Sequence, residues 1–81
     1  MNQSVRIQYC AILREQRGLA WETLATPAAT PADLYAELRA RHGFSLPASR
    51  LQVAINGDFA AWDTGLRAGD EIIFLPPFAG G

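Results

Sequence analysis

Lysine is absent from the 81 residues, and all seven basic residues are arginine. The chain therefore offers no side-chain amine nucleophile. A GC-rich genome that favours Arg codons and a chain that gains by lacking amines are both compatible with that bias. Cysteine occurs once, at Cys10. One thiol forms no internal disulfide and builds no thiolate cluster, so no metal site is expected. No apolar run approaches the ~20 residues a membrane-spanning helix needs. Met1-Asn2-Gln3-Ser4 lacks a basic segment followed by an apolar one, so no secretory signal is expected there. The charge is nearly balanced, with seven basic and eight acidic residues. That composition lacks the basic stripe of a nucleic-acid binder. A reducing cytoplasmic setting fits these absences. What is present is apolar: hydrophobic residues make up 49% of the chain. That suffices for one compact core, although a chain this short buries only ~60% of its unfolded surface.

Val5-Arg6-Ile7-Gln8-Tyr9-Cys10 alternates with period two, which predicts a half-buried strand with Val5, Ile7 and Tyr9 inward. Residues 11–17 hold good helix formers and stop at Gly18, a natural residue after a helix end. Residues 19–24 predict a second strand. Thr30-Pro31-Ala32-Asp33 is the clearest helix start: a capping hydroxyl, a proline at the first helical position and a negative charge in the first turn. Leu34, Tyr35, Leu38 and the stem of Arg41 are its expected buried stripe, Gly43 its stop. Phe44 is expected to fold back onto its last turn. Residues 45–50 read as a loop. Leu51, Val53 and Ile55 alternate inward on a third strand. Asn56-Gly57 is a strong hairpin signal, because both central residues of a type I′ turn need positive φ. Residues 58–62 should pair back. Leu66 is expected to plug the core from the loop over 63–70, which closes with a turn at Ala68-Gly69-Asp70. Residues 71–75 are the densest apolar strand and are placed centrally. Pro76-Pro77 ends it. Two strands, a main helix across one face, then further strands make an α+β, β-grasp (ubiquitin-like) fold with a mixed sheet. Residues 1–75 form the domain, and residues 76–81 a flexible Gly-Gly tail.

No internal catalytic set emerges. A nucleophile needs a base and a group to orient it. His42, the sole histidine, reads as a solvated residue at a helix end, and Cys10 as a small strand-end residue. Asp33 and Glu37 are four apart on a helix, an ordinary exposed pair. Asp58, Asp63, Asp70 and Glu71 sit near turns without a metal-ligand pattern.

The tail is different. Pro76-Pro77-Phe78-Ala79-Gly80-Gly81 holds no charged side chain. Six extended residues reach ~20 Å. The two prolines stiffen its first part and limit the entropy lost on docking. Glycines at the tip can pass a channel too narrow for any Cβ. The α-carboxylate of Gly81 is the only reactive group, and it is inert until activated, for instance as an acyl-adenylate. A frayed terminus is the alternative. On the last strand Ile72 and Phe74 share one face, and Ile73 and Leu75 the other. Phe59 and Trp62 point to opposite faces. Either an apolar patch lies open beside the tail, suiting a protein partner, or the loop before Leu66 covers it.

Ala54-Ile55-Asn56-Gly57, Asp63-Thr64-Gly65-Leu66, Ala68-Gly69-Asp70-Glu71-Ile72 and Pro76-Pro77-Phe78-Ala79-Gly80-Gly81 together resemble the MoaD family, the small subunits of molybdopterin synthase. Leu13-Arg14-Glu15 and Thr30-Pro31-Ala32-Asp33-Leu34 are similar as well, so the likeness spans essentially the whole chain. The Pro-Pro-x-Ala-Gly-Gly ending is its most specific part. The resemblance implies that Gly81 is adenylated by a MoeB-like E1 enzyme using ATP, then thiocarboxylated from a sulfur donor. It implies that Pro77, Phe78, Ala79 and Gly80 insert into the large subunit MoaE, in a heterotetramer of two small and two large subunits. Sulfur would pass there to cyclic pyranopterin monophosphate. The chain would then be an enzyme, a sulfurtransferase, only as a subunit. It would bind no cofactor, and the partner would hold the pterin and the catalytic side chains. Phe59, Leu75 and Arg14 match partner-contact positions. Phe78 stands where the family usually has Val or Ile. A sulfur carrier for thiazole or cysteine synthesis and a ubiquitin-like modifier or binding module are the competing readings.

Overall fold

The structure, a computed structural model, describes residues 2–77. Phe78, Ala79, Gly80 and Gly81, on which the reading of the tail depends, lie outside the described residues. In chain order the elements are β1 (Gln3–Tyr9), α1 (Ile12–Arg17), β2 (Trp21–Thr26) and α2 (Pro31–His42). A 3-10 turn (Ala48–Arg50), β3 (Gln52–Ile55), β4 (Asp58–Ala60) and β5 (Glu71–Leu75) follow. The five strands form one sheet in the order β2-β1-β5-β3-β4. β1 and β5 run parallel, and the other neighbours are antiparallel. The expected mixed sheet with β5 at its centre is thus observed.

The core lies between the sheet and α2. Val5, Ile7 and Tyr9 of β1 and Ile72 and Phe74 of β5 are buried, as the two-residue period requires. Leu34, Tyr35 and Leu38 of α2 meet them. Tyr35 is the hub. Its ring lies 5.1 Å from that of Phe74 and 5.9 Å from that of Phe44. Its hydroxyl donates to the Leu46 carbonyl at 2.6 Å, so the polar tip of a buried ring is satisfied. Trp62 stacks on Phe74 at 5.9 Å from the helix side.

The helix boundaries follow from local chemistry. The Thr30 hydroxyl accepts from the Asp33 N–H at 3.2 Å, with Pro31 at the first helical position. Gly43 ends α2 in the left-handed region at φ 68°. Replacing Thr30 by Ala is expected to cost about 1 kcal/mol, read as a lower urea midpoint at unchanged slope.

Several expectations shift. Glu37, read as exposed, is half-buried and accepts from the Thr26 hydroxyl at 2.6 Å. β2 begins at Trp21 and not at Leu19, because Gly18 takes φ 81° to cap α1 and residues 19–20 carry the link back. The Arg41 stem is exposed, because its guanidinium reaches out to Glu37 at 3.3 Å. Ile55, at the hairpin end, is only half-buried. β4 stops at Ala60, and Trp62 turns inward from the following bend.

Leu66 is buried, and its N–H donates to the Ala29 carbonyl at 2.9 Å. The Trp62 carbonyl meanwhile accepts from the Ala32 N–H at 3.1 Å. This loop therefore closes the helix side of the core and leaves the opposite face of the sheet open.

Candidate functional site

The open face is built by register. Trp21 of β2 pairs with Gln8 of β1, and Gln8 with Ile73 of β5. Ile73 pairs with Ala54 of β3, and Ala54 with Phe59 of β4. Directly opposed residues share a face, so these five side chains form one row across the whole sheet. Trp21 and Phe59 end the row, 53% and 73% exposed. Ile73 between them is half-buried, and Ala54 is buried. Two residues further along β5, Leu75 pairs with Gln52 on the same face.

The chain leaves the sheet beside Phe59. A groove of about 550 Å³ is lined by Phe59, Leu75, Leu51, Arg50, Pro76 and Pro77 among others. Phe59, Leu75 and Pro77, three of the residues read from the sequence, therefore share one groove at the root of the tail. Arg14 does not line it. Arg14 is exposed on α1, which follows the end of β1 and so lies at the same end of the sheet, because β1 and β5 are parallel. The remaining site residues read from the sequence, Phe78, Ala79, Gly80 and Gly81, fall outside the described residues.

Sequence reasoning missed Arg50 and Trp21. Arg50 came from a stretch read as plain loop, and its place in a short 3-10 turn brings it to the groove. Trp21 carries the Arg6 guanidinium 4.2 Å from its ring centroid, a cation–π contact that holds both side chains on the open face. The signal was the alternation of β2 itself, once its start is set at Trp21.

The start of β5 is fixed by the Asn56-Gly57 turn. Asn56 and Gly57 take φ 53° and 91°, the positive values such a turn requires. The Asn56 carboxamide accepts from the Glu71 N–H at 2.9 Å and donates to Asp70 at 3.0 Å. Gly69, at φ 86°, donates its N–H to the Ser4 carbonyl at 2.8 Å. These bonds tie the hairpin, β1 and β5 together, so the strand that carries the tail is anchored at its far end.

On the helix side, Glu22 accepts from both the Arg17 guanidinium at 2.9 Å and the Tyr9 hydroxyl at 2.6 Å. The Arg17 hydrogen bonds hold its carboxyl below the usual range, against burial. Burial, and then Glu22, push the Tyr9 phenol up. Burial also lowers His42. A depressed carboxyl pKa stabilises the fold above the unfolded value of 4.5, and that stability is lost as pH falls through the lower folded value. Glu22→Gln is expected to be less stable than the parent near neutrality and to approach it in acid. Urea midpoints measured for both proteins across that range check this.

Among the described residues no group of three or more His, Cys, Asp or Glu side chains is placed to hold a metal ion. No helix there is long and apolar enough to cross a membrane. Cys10 is a free, half-buried thiol.

Comparison with known proteins follows the same outline. The model of the ThiS family matches residues 7–81. No curated protein sequence matches. Among solved structures, a putative molybdopterin converting factor subunit 1 from Pyrococcus furiosus is 26% identical with a TM-score of 0.77, over 94% of this chain and 99% of that one. SAMP1 from Haloferax volcanii is 27% identical with a TM-score of 0.77, over 96% and 99%. The complex of subunits 1 and 2 of the molybdopterin-converting factor from Helicobacter pylori contains a chain 25% identical, with a TM-score of 0.66, over 98% and 100%.

Proposed function

The chain belongs to the ThiS family and has its ubiquitin-like sulfur-carrier fold, and from that premise we propose that Gly81 carries sulfur for molybdopterin synthesis. The carboxylate of Gly81 attacks the α-phosphorus of ATP on an E1-like enzyme, and pyrophosphate leaves. Sulfide-level sulfur from a donor then attacks the acyl carbon, AMP leaves, and a thiocarboxylate remains. The sulfur passes to a pterin substrate held by a larger partner subunit. The chain itself presents the group, and the partner supplies the catalytic side chains. A reducing cytoplasm suits such a thiocarboxylate.

One observation carries this reading: the family match runs through the tail to Gly81. The tail also departs beside an open apolar groove. The groove supports docking of a partner against Phe59 and Leu75, with Arg14 and Arg50 presenting positive charge at that end of the sheet. The Helicobacter pylori complex supports a partner subunit by analogy.

The test is intact-mass spectrometry after incubation with an E1-like adenylating enzyme, ATP and a sulfur donor. The expected product has one carboxylate oxygen replaced by sulfur. A chain whose mass never changes would sink the proposal. The similarity to SAMP1 favours one second reading, a protein modifier. An amide bond between Gly81 and a lysine of another protein, in place of a thiocarboxylate, identifies it. Carriers for thiazole or cysteine synthesis give the same thiocarboxylate and differ in the acceptor that takes the sulfur.

A further inference from the structure

The two edges of the sheet are unequal. β4 is three residues long, running only from the hairpin turn to Ala60. β2 is six residues long, regular, and contains neither proline nor lysine. Edge strands without such blunting are templates for pairing.

The pairing with β1 decides which groups β2 offers. The Tyr9 N–H donates to the Ala20 carbonyl at 2.8 Å. Hydrogen-bonded and non-bonded pairs alternate along an antiparallel ladder, so Glu22 and Leu24 also bond inward to β1. Trp21, Thr23 and Ala25 consequently point their N–H and C=O groups away from the sheet. All three side chains are exposed on the open face.

We propose that β2 pairs antiparallel with β2 of a second copy of this chain, with Thr23 on the two-fold axis. This register sets Trp21 opposite the partner's Ala25 and Thr23 opposite the partner's Thr23. Every outward N–H and C=O of the three residues is then satisfied, and a large side chain meets a small one. Glu22 falls opposite Leu24. Centring the pair on residue 22 would place two Glu22 carboxylates face to face, which is destabilising. Centring it on residue 24 would bring Trp21 opposite Pro27, which has no N–H to give. A shift by a single residue would oppose outward groups to inward ones and turn the side chains to the wrong face. The chain's own pattern therefore selects one self-complementary register, as a two-fold interface requires. β4 and the Phe59 groove lie at the opposite edge of the sheet, so the pairing leaves the tail end free for another protein.

Sedimentation velocity on the purified full chain, from nanomolar to millimolar concentration, tests this without any activating enzyme. The monomer is 8.8 kDa, and the expected result is a reversible species of twice that mass. Thr23→Lys, at an exposed position, places like charges together on the axis and is expected to weaken dimerisation by at least about tenfold. Thr23→Glu does the same. Mixing the two variants restores the dimer, because residue 23 then meets its opposite charge. Circular dichroism of each variant confirms an unchanged fold. A chain that stays monomeric throughout overturns the inference. So does a dimer that Thr23→Lys leaves intact, or variants that fail to recombine.

Discussion

Deleting Gly81 is expected to abolish sulfur loading while leaving thermal stability unchanged. The effect is large because the reacting carboxyl group must sit at one fixed reach from the domain. Without Gly81 the carboxylate still exists, on Gly80, but it sits one residue nearer the domain, up to ~3.5 Å short of its former reach. Misplacement of a reacting atom by even an ångström can cost about a hundredfold. The stability term is small because the core closes before the tail begins: β5 ends at Leu75, and Pro77 is already exposed. Intact-mass spectrometry with the adenylating enzyme, ATP and sulfur donor reads the loss, and a melting curve reads the fold. Loading at the parental rate in the shortened chain would remove Gly81 from the chemistry. Gly80→Ala is the graded companion, since it keeps the length and adds one Cβ to a tip expected to thread a narrow channel.

Much of the fold was legible because its signals are local. The cap at Thr30, the stops at Gly18 and Gly43, the turn at Asn56-Gly57 and the alternation of β1 and β5 each need only a few neighbouring residues. β2 was harder. Its pattern looks inverted, with Trp21 outward and Glu22 inward. Glu22 is tolerated inside because Tyr9 and Arg17 satisfy it, and neither partner is visible from β2 alone. The site divides the same way. Phe59, Leu75 and Pro77 are named as site residues by the resemblance, while the residues alone give only an apolar strand face and a proline stop. That they share one groove depends on the β3–β5 and β3–β4 registers, which bring Phe59 and Leu75 to one face from positions sixteen residues apart in number. Arg50 had no periodic signal, because a 3-10 turn of three residues has none to give. The chemistry proposed for Gly81 rests on the resemblance and the family match, since Gly80 and Gly81 lie outside the described residues.

Phe74→Ala and Phe59→Ala are expected to separate folding from docking. The two residues lie on adjoining parts of one sheet but on opposite faces. Phe74 is fully buried among Tyr35, Trp62 and Tyr9's neighbours in the core. Its truncation leaves a cavity beneath α2 and is expected to cost about 3–5 kcal/mol. A small domain holds only about 5–15 kcal/mol in total, so much of the margin is lost and the urea midpoint falls steeply. Phe59 is exposed and makes the wall of the groove. Its truncation should change stability by less than about 0.5 kcal/mol. Buried against a partner, however, an aromatic anchor of this kind is worth about 2 kcal/mol, or roughly thirtyfold in affinity. Titration of each variant against the adenylating enzyme, at a temperature where both are folded, reads the second quantity. Phe59→Ala should bind weakly with a parental melting curve. Phe74→Ala should bind nearly normally while folded, because its side chain never reaches the open face. Parental affinity in Phe59→Ala would move the docking surface away from the groove.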